Sequence, residues 1–216
     1  MLEEDTPLRY LFHGISQGGI LGSAYTSLLS SSGLLDGAII TSSGTPFSLI
    51  MSRSTIFPMY QELLLMSLHH NRHIRIFLSF VQMIFDSIEV GGLIEAGQPT
   101  MKTLIQAGLG DAVVTSYSTE NMARAYSASS FQSNPREIFG LNPLEPTETT
   151  SCITEILYEE EYTTLSKTNV ALETNNVHHC TRLDSAVTSQ FIEFINTVSF
   201  LDVCVNGGCI RDNSNC

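Results

Sequence analysis

The order of apolar and polar residues predicts short strands that alternate with helices along this chain. Apolar runs bounded by glycine or polar residues indicate strands at 9–13, 37–43 and 153–158, and another strand in the run that starts at 102. Helical spacing of apolar residues predicts helices at 20–29, 118–127 and 185–198. Strands separated by helices are typical of an α/β protein with a mainly parallel sheet, and we predict that fold class.

The segment 47–99 differs from the rest because it is long, apolar and helical in its periodicity. Its apolar residues recur three and four positions apart, which suits amphipathic or buried helices. The residues in this pattern are Ile56, Met59, Tyr60, Leu63 and Leu64, followed by Ile76, Phe77, Phe80, Val81 and Ile84.

Composition bounds the classes of protein that fit. A chain of 216 residues with 43% hydrophobic and 15% charged residues can bury a sizeable core in one domain. A net charge of −12 with only ten scattered basic residues argues against nucleic-acid binding. We also expect no membrane span, since no apolar stretch reaches the roughly 18 residues that one requires. The acidic start, 1–5, lacks the basic and apolar regions of a signal peptide.

A serine bracketed by glycines is the most specific motif of the chain. Gly14, Ser16 and Gly18 form a Gly-x-Ser-x-Gly pattern between a predicted strand and a predicted helix. A nucleophile elbow needs this context, because a sharp turn holds the serine in a strained conformation. We expect Gly14 and Gly18 to remove steric clashes at this turn. An ordinary glycine-rich turn is the alternative reading of the motif taken alone.

Two further segments supply an acid and a base. Asp111 follows an apolar run and a Gly-x-Gly turn, so it is expected at the carboxyl edge of a parallel strand. Asp86 is a rival for the acid, but it sits inside a helical pattern. His178 and His179 lie in a predicted polar loop that precedes a helix. Serine, acid and histidine in that chain order are typical of α/β-hydrolases.

The chain resembles the carboxyl-terminal half of an α/β-hydrolase, similar to lipase-like and esterase-like proteins. The resemblance spans roughly 8–198. Beyond the elbow, it is carried by 82–86, by the turn 108–111 with Val113, by 139–141, by 178–182 and by 190–194.

The resemblance implies a serine hydrolase of carboxylic esters that needs no cofactor. Ser16 would be the nucleophile, His178 the base and Asp111 the residue that orients the base, with the backbone N–H of Gln17 in the oxyanion hole. In the resembling proteins an arginine follows the base by four positions, so Arg182 selects His178. Lipid esters, small esters, thioesters and peptides all fit this triad. A catalytically inactive, hydrolase-like binding module remains the alternative.

The same resemblance implies that the amino-terminal strands of the fold are missing. We therefore expect a fragment whose elbow strand is an exposed edge, open to the missing half or to self-association. Only one oxyanion donor would lie in this chain. One such donor is typically worth about 2.7–4 kcal/mol, so weak or absent catalysis is expected.

The resemblance also suggests a domain organisation. Residues 1–200 would form the hydrolase half, 47–99 a helical cap that shapes an acyl pocket, and 201–216 a cysteine-rich tail. Equally, the apolar residues of 47–99 could pack as core helices.

The chain has five cysteines, and three of them, Cys204, Cys209 and Cys216, lie in the tail. Such spacing favours disulfides and extracellular location over a tail of free thiols.

Three histidines with helical spacing raise the question of a metal. Near His69, His70 and His73 no carboxylate or cysteine completes a ligand set, so we expect a solvated helix face and no metal site. For His13, directly before the elbow, we expect packing or hydrogen bonding within the strand.

Overall fold

The computed structural model describes residues 8–94, 101–143, 150–158 and 174–211. Its strands are β1 (Leu11–Ile15), β2 (Gly37–Thr41), β3 (Lys102–Gly108), β4 (Ser129–Ser130), β5 (Asn142–Pro143), β6 (Ser151–Tyr158) and β7 (Ile210–Arg211). Its α-helices are α1 (Gln17–Leu29), α2 (Phe47–Arg53), α3 (Pro58–Leu68), α4 (Asn71–Phe85), α5 (Val90–Leu93), α6 (Ser116–Ala125), α7 (Val177–Leu183) and α8 (Ser185–Thr197).

All described strand pairs are parallel. The sheet order is β1-β2-β3-β6-β4-β5, and β7 pairs with the end of β6. Parallel neighbours need crossover connections; α1 lies in the one from β1 to β2, and α2 to α5 lie in the one from β2 to β3. The predicted α/β class, a mainly parallel sheet flanked by helices, is therefore confirmed.

Apolar residues on both faces of the sheet are buried under helices. Successive residues of a strand point to opposite faces. Ile40 thus packs in one cluster with Met122 and Tyr126 at the end of α6, whereas Ile39 packs in another with Phe194 of α8. All five of these residues are at most 1% exposed. This two-sided burial explains the continuous apolar sequence of β2.

The first strand departs from its prediction in place and in burial. It runs from Leu11 to Ile15 rather than over 9–13, and Gly14 is its one buried residue. Among the described residues β1 pairs only with β2, so it ends the sheet. A strand that pairs along one edge only is open to solvent at its other edge. The prediction of a buried strand was wrong for this reason. The expectation of an edge position agrees with the described sheet.

In the helical segment 47–99, α2 and α5 contribute buried residues to the core, whereas α3 and α4 contribute little. The predicted helices are present as α2 to α5, and residues 95–99 lie outside the described part. However, α3 has no buried residue, and in α4 Leu78 is the one that is buried. Most apolar side chains of these two helices are therefore exposed rather than packed in the core.

Two other predictions need correction near the end of the chain. The predicted polar loop around His178 is instead helix α7, which begins at Val177. The strand predicted at 153–158 begins two residues earlier and runs from Ser151 to Tyr158. The described tail residues pack on the domain, because Cys204 and Cys209 share a buried cluster with Tyr158 of β6.

Cysteines form disulfides in the folded chain, as the tail spacing predicted. Cys204 and Cys209 are joined to each other, and Cys180 is also disulfide-bonded, whereas Cys152 is a free buried thiol. Cys216 lies outside the described residues. In the described part of the chain, no helix has the length and apolar character needed to cross a bilayer.

Candidate active site

The carboxyl ends of β1 and β3 bring a serine and an aspartate to one edge of the sheet. Ser16 directly follows β1, and Asp111 comes three residues after the end of β3. Because the strands are parallel, both residues leave the sheet at the same edge, where ligands commonly bind in such folds.

Helix α7 carries the third residue, and a glycine permits its position. A Cβ atom added at Gly108, the last residue of β3, would lie 2.2 Å from the Thr181 Oγ1 atom and 2.5 Å from the Val177 Cγ1 atom. Both of these neighbours belong to α7. Close packing of the helix on the strand therefore depends on Gly108, and it holds His178 at the edge of the sheet.

Ser16 has a strained backbone between strand and helix. Its φ of 55° and ψ of −126° lie in a region that non-glycine residues rarely adopt. The Ser16 N–H donates to the Thr41 carbonyl of β2, and the Ser16 carbonyl accepts from Gly19 N and Ile20 N in α1. These bonds fix the turn from both sides. Strain of this kind costs of order 1–3 kcal/mol and persists where surrounding contacts impose it.

The glycines of the turn differ in their steric roles. A Cβ atom at Gly14 would lie 2.6 Å from the Gly18 carbonyl oxygen, so this glycine is required as predicted. At Gly18, by contrast, an added Cβ meets nothing within 4 Å, and the expected clash there was wrong. Gly19 takes that role, because its Cβ would lie 2.6 Å from the Ser43 Cβ atom.

The three predicted polar residues form one hydrogen-bonded chain. The His178 Nε2 atom is 3.0 Å from the Ser16 Oγ atom, and the His178 Nδ1 atom is 2.7 Å from the Asp111 Oδ2 atom. The Asp111 carboxylate is buried, whereas the histidine and the serine are partly accessible. This arrangement can move a proton from the serine hydroxyl to the imidazole.

Backbone groups orient Asp111, and sequence reasoning missed them. Its Oδ1 atom accepts hydrogen bonds from Val113 N at 2.7 Å and from Val114 N at 2.9 Å, which leaves Oδ2 for His178. Asn175 ties the two loops together by donating from Nδ2 to the Gly110 carbonyl at 2.8 Å. An aspartate followed by small apolar residues after a strand is the signal for such a turn.

The rival candidates lie elsewhere. His179 is exposed on α7, and Asp86 ends α4, where it accepts a hydrogen bond from Gln82. The exposed His13 contacts the Phe191 ring, with 4.6 Å between ring centroids, so packing applies as expected. Although part of the side chain reaches solvent, partial desolvation of its ring lowers the pKa of His13.

Helix α1 begins directly after Ser16, so its amino end adjoins the same site. Gln17 is the first residue of the helix, so its N–H lacks an acceptor within the helix. The positive end of the helix dipole favours negative charge here. Within α1, therefore, no backbone carbonyl accepts from the Gln17 amide.

The helical segment 47–99 is hydrogen-bonded to the chain directly after Asp111. The Ala112 carbonyl accepts hydrogen bonds from both the backbone N and the Oγ1 of Thr55, at 2.9 and 3.0 Å. Between α2, α3 and α4 lies a cavity of about 550 Å³ whose lining includes Leu49, Met51 and Leu78, and which does not include the triad residues. The described residues contain no cluster of potential metal ligands.

Comparisons with family models, with curated proteins and with solved structures find no match to this chain.

Proposed function

We propose that this protein is a serine hydrolase that cleaves carboxylic esters, with the active-site arrangement of an α/β-hydrolase. The observation that carries the proposal is the hydrogen-bonded chain from Ser16 through His178 to Asp111, at 3.0 and 2.7 Å. These residues are far apart in sequence, so their alignment requires the whole fold. A strained serine at a strand-to-helix turn adds a second, independent feature of such enzymes.

The mechanism follows from the order of the hydrogen bonds. His178 Nε2 accepts the proton of the Ser16 hydroxyl while Ser16 Oγ attacks the ester carbonyl. The oxyanion of the tetrahedral intermediate is stabilised by the Gln17 N–H and by the positive end of α1. The imidazolium then protonates the leaving alkoxide, which leaves an acyl group on Ser16. Water attacks this acyl-enzyme with His178 again acting as base.

Asp111 supports the base in this scheme without changing its own protonation. Its Oδ2 atom accepts from Nδ1–H of His178, which leaves Nε2 unprotonated and directed at Ser16. Two backbone N–H groups hold its Oδ1 atom, so the carboxylate cannot rotate away.

The triad, and not a neighbouring cavity, carries the proposed substrate class. None of the triad residues lines the cavity between α2, α3 and α4, and that lining mixes apolar side chains such as Leu64 with charged ones such as Glu62 and Arg75. An acyl-enzyme mechanism on Ser16 fits esters of different sizes. We therefore propose small-molecule or lipid esters as substrates.

Labelling with a fluorophosphonate probe tests the proposal, because such probes react with activated serines. We expect labelling of the wild-type protein and none of Ser16→Ala. Ser189→Ala is the matched control, since Ser189 is exposed on α8 and bonds only its own helix at Ser185. Labelling that persists in Ser16→Ala would contradict the nucleophile assignment.

A second pair of variants tests the base. His178→Ala should abolish labelling, whereas His179→Ala should retain it, because His179 is exposed on the same helix. The reverse result would overturn the assignment of the base. A folded wild-type protein that is not labelled would favour the inactive binding module instead.

A further inference from the structure

Helices α3 and α4 form a hairpin with an apolar outer surface. We call residues 58–85 the α3–α4 hairpin. Its exposed apolar side chains are large, and several are more than three-fifths exposed: Met59, Met66, Phe80, Met83 and Ile84. Soluble proteins rarely expose contiguous apolar patches of this kind unless the patch binds something.

The exposed apolar residues form a stripe along each helix. In α3, Met59, Leu63 and Met66 are spaced by four and three residues, and in α4 the same spacing relates Ile76, Phe80 and Met83. Such spacing places side chains on one face of a helix. Each helix of the hairpin therefore presents a continuous apolar face to solvent.

The hairpin also differs in charge from the rest of the protein. The chain carries −12 overall, yet from Leu63 to Phe85 it has no acidic residue. Basic side chains gather at the turn between the two helices, where Arg72 and Arg75 are exposed together with His69, His70 and His73. The hairpin thus combines an apolar face with a positively charged tip.

We propose that the α3–α4 hairpin docks on an anionic lipid surface. Interfacial helices insert an apolar face at the level of the headgroups while basic residues contact anionic lipids, and the hairpin has both features. At physiological ionic strength charges more than about 8 Å apart are largely screened, so the acidic remainder of the protein does not prevent docking through the tip. This proposal does not depend on the catalytic assignment.

Charge complementarity favours a lipid surface over a second copy of the chain. Two copies that met through this face with two-fold symmetry would each place the same patch on the other. Where that symmetry brings the two tips together, Arg72 and Arg75 of one copy face the same residues of the other, and from Leu63 to Phe85 the hairpin has no acidic residue to compensate. An anionic membrane supplies the missing negative charge.

Vesicle flotation tests the proposal directly. We expect the wild-type protein to float with phosphatidylcholine vesicles that contain about one-third phosphatidylserine, and less with pure phosphatidylcholine. Phe80→Glu should abolish flotation by placing a charge on the apolar face. Arg72→Glu should weaken partitioning at least about fivefold, because one basic residue near the surface is worth about that factor.

Matched variants on other surfaces serve as controls. Ile192→Glu changes a half-exposed residue of α8, and Arg182→Glu changes an exposed residue of α7, and both should float as the wild type does. Circular dichroism spectra and melting curves of all variants show whether each folds. Equal flotation of Phe80→Glu and the wild type would overturn the proposal. The proposal would also be overturned if the wild-type protein did not bind anionic vesicles. Dimers of the wild-type protein that Phe80→Glu dissociates would overturn it as well.

Discussion

Asp111, rather than Asp86, is the carboxylate that the geometry connects to His178. Replacing Asp111 by Asn keeps the side-chain shape but removes the acceptor that holds Nδ1–H of His178, so the wrong tautomer faces Ser16. One oxyanion donor already makes slow turnover the expectation, and we expect the remaining kcat for ester hydrolysis to fall further, by up to about 10⁴-fold. Asp86→Asn is the control, because Asp86 is exposed at the end of α4. Comparable losses in both variants would contradict this role of Asp111.

A buried carboxylate elsewhere makes stability depend on pH. Glu155 in β6 is fully buried and bonds Arg136 at 2.9 Å. Burial raises the pKa of Glu155 to about 7 from its ordinary 4.5, although Arg136 opposes the shift. The folded protein therefore keeps a proton that the unfolded chain loses above pH 4.5. Stability from this group is present below pH 4.5 and is lost as the pH rises to about 7.

Glu155→Gln should remove this dependence, because glutamine does not titrate. Relative to the variant, the wild-type protein should lose about 3 kcal/mol of unfolding free energy between pH 4.5 and 7. Urea denaturation at several pH values measures the difference. A wild-type protein that gains stability over the same range would show that the ion pair with Arg136 outweighs burial.

At the scale of single residues, local motifs marked three side chains that the fold brings into hydrogen-bond contact. Ser16 is marked by its flanking glycines and Asp111 by the turn that follows a strand, while the choice of His178 over His179 came from the resemblance through Arg182. Asn175, whose side chain links two loops, was not predicted. Its partner, the Gly110 carbonyl, is distant in sequence, and no local pattern reports such a contact.

In the strand-turn-helix element, we expect alanine substitutions at two adjacent glycines to have opposite effects. Gly19→Ala would force a Cβ atom against Ser43, whereas Gly18→Ala points into open space. We expect Gly19→Ala to lose fluorophosphonate labelling and stability, since displacing the packed turn costs typically 1–3 kcal/mol. Gly18→Ala should keep both. Loss of labelling in Gly18→Ala with normal stability would mean that Gly18 faces the substrate.

Among the elements, periodicity predicted type better than environment. Helices α1, α6 and α8 and strands β2, β3 and β6 were predicted close to their positions, because their patterns are long or uninterrupted. Short pairs such as β4 and β5 leave no periodic signal. Periodicity also could not tell that α3 and α4 are exposed, since an apolar stripe has the same spacing whether it faces the core or solvent.

For the whole molecule, the distribution of charge is uneven along the fold. From Tyr10 to Leu35 the sequence has no Asp, Glu, Lys or Arg, and this segment contains the sheet-ending strand β1 and helix α1. Tyr10, Leu21 and Tyr25 are each more than half exposed there. Among the described residues the outer edge of β1 has no partner strand. Such an edge beside uncharged apolar residues is a template for pairing with another chain.

We therefore predict that the protein self-associates through the edge of β1, in a concentration-dependent way. His13→Lys should reduce association, because a lysine on an exposed edge strand opposes pairing with a second strand. Ser189→Lys, on the exposed face of α8, adds the same charge elsewhere and should leave association unchanged. Sedimentation velocity over a range of concentrations measures both. If His13→Lys and Ser189→Lys associate equally, the contact lies on another surface, and if the wild-type protein stays monomeric, the edge of β1 is protected without a partner chain.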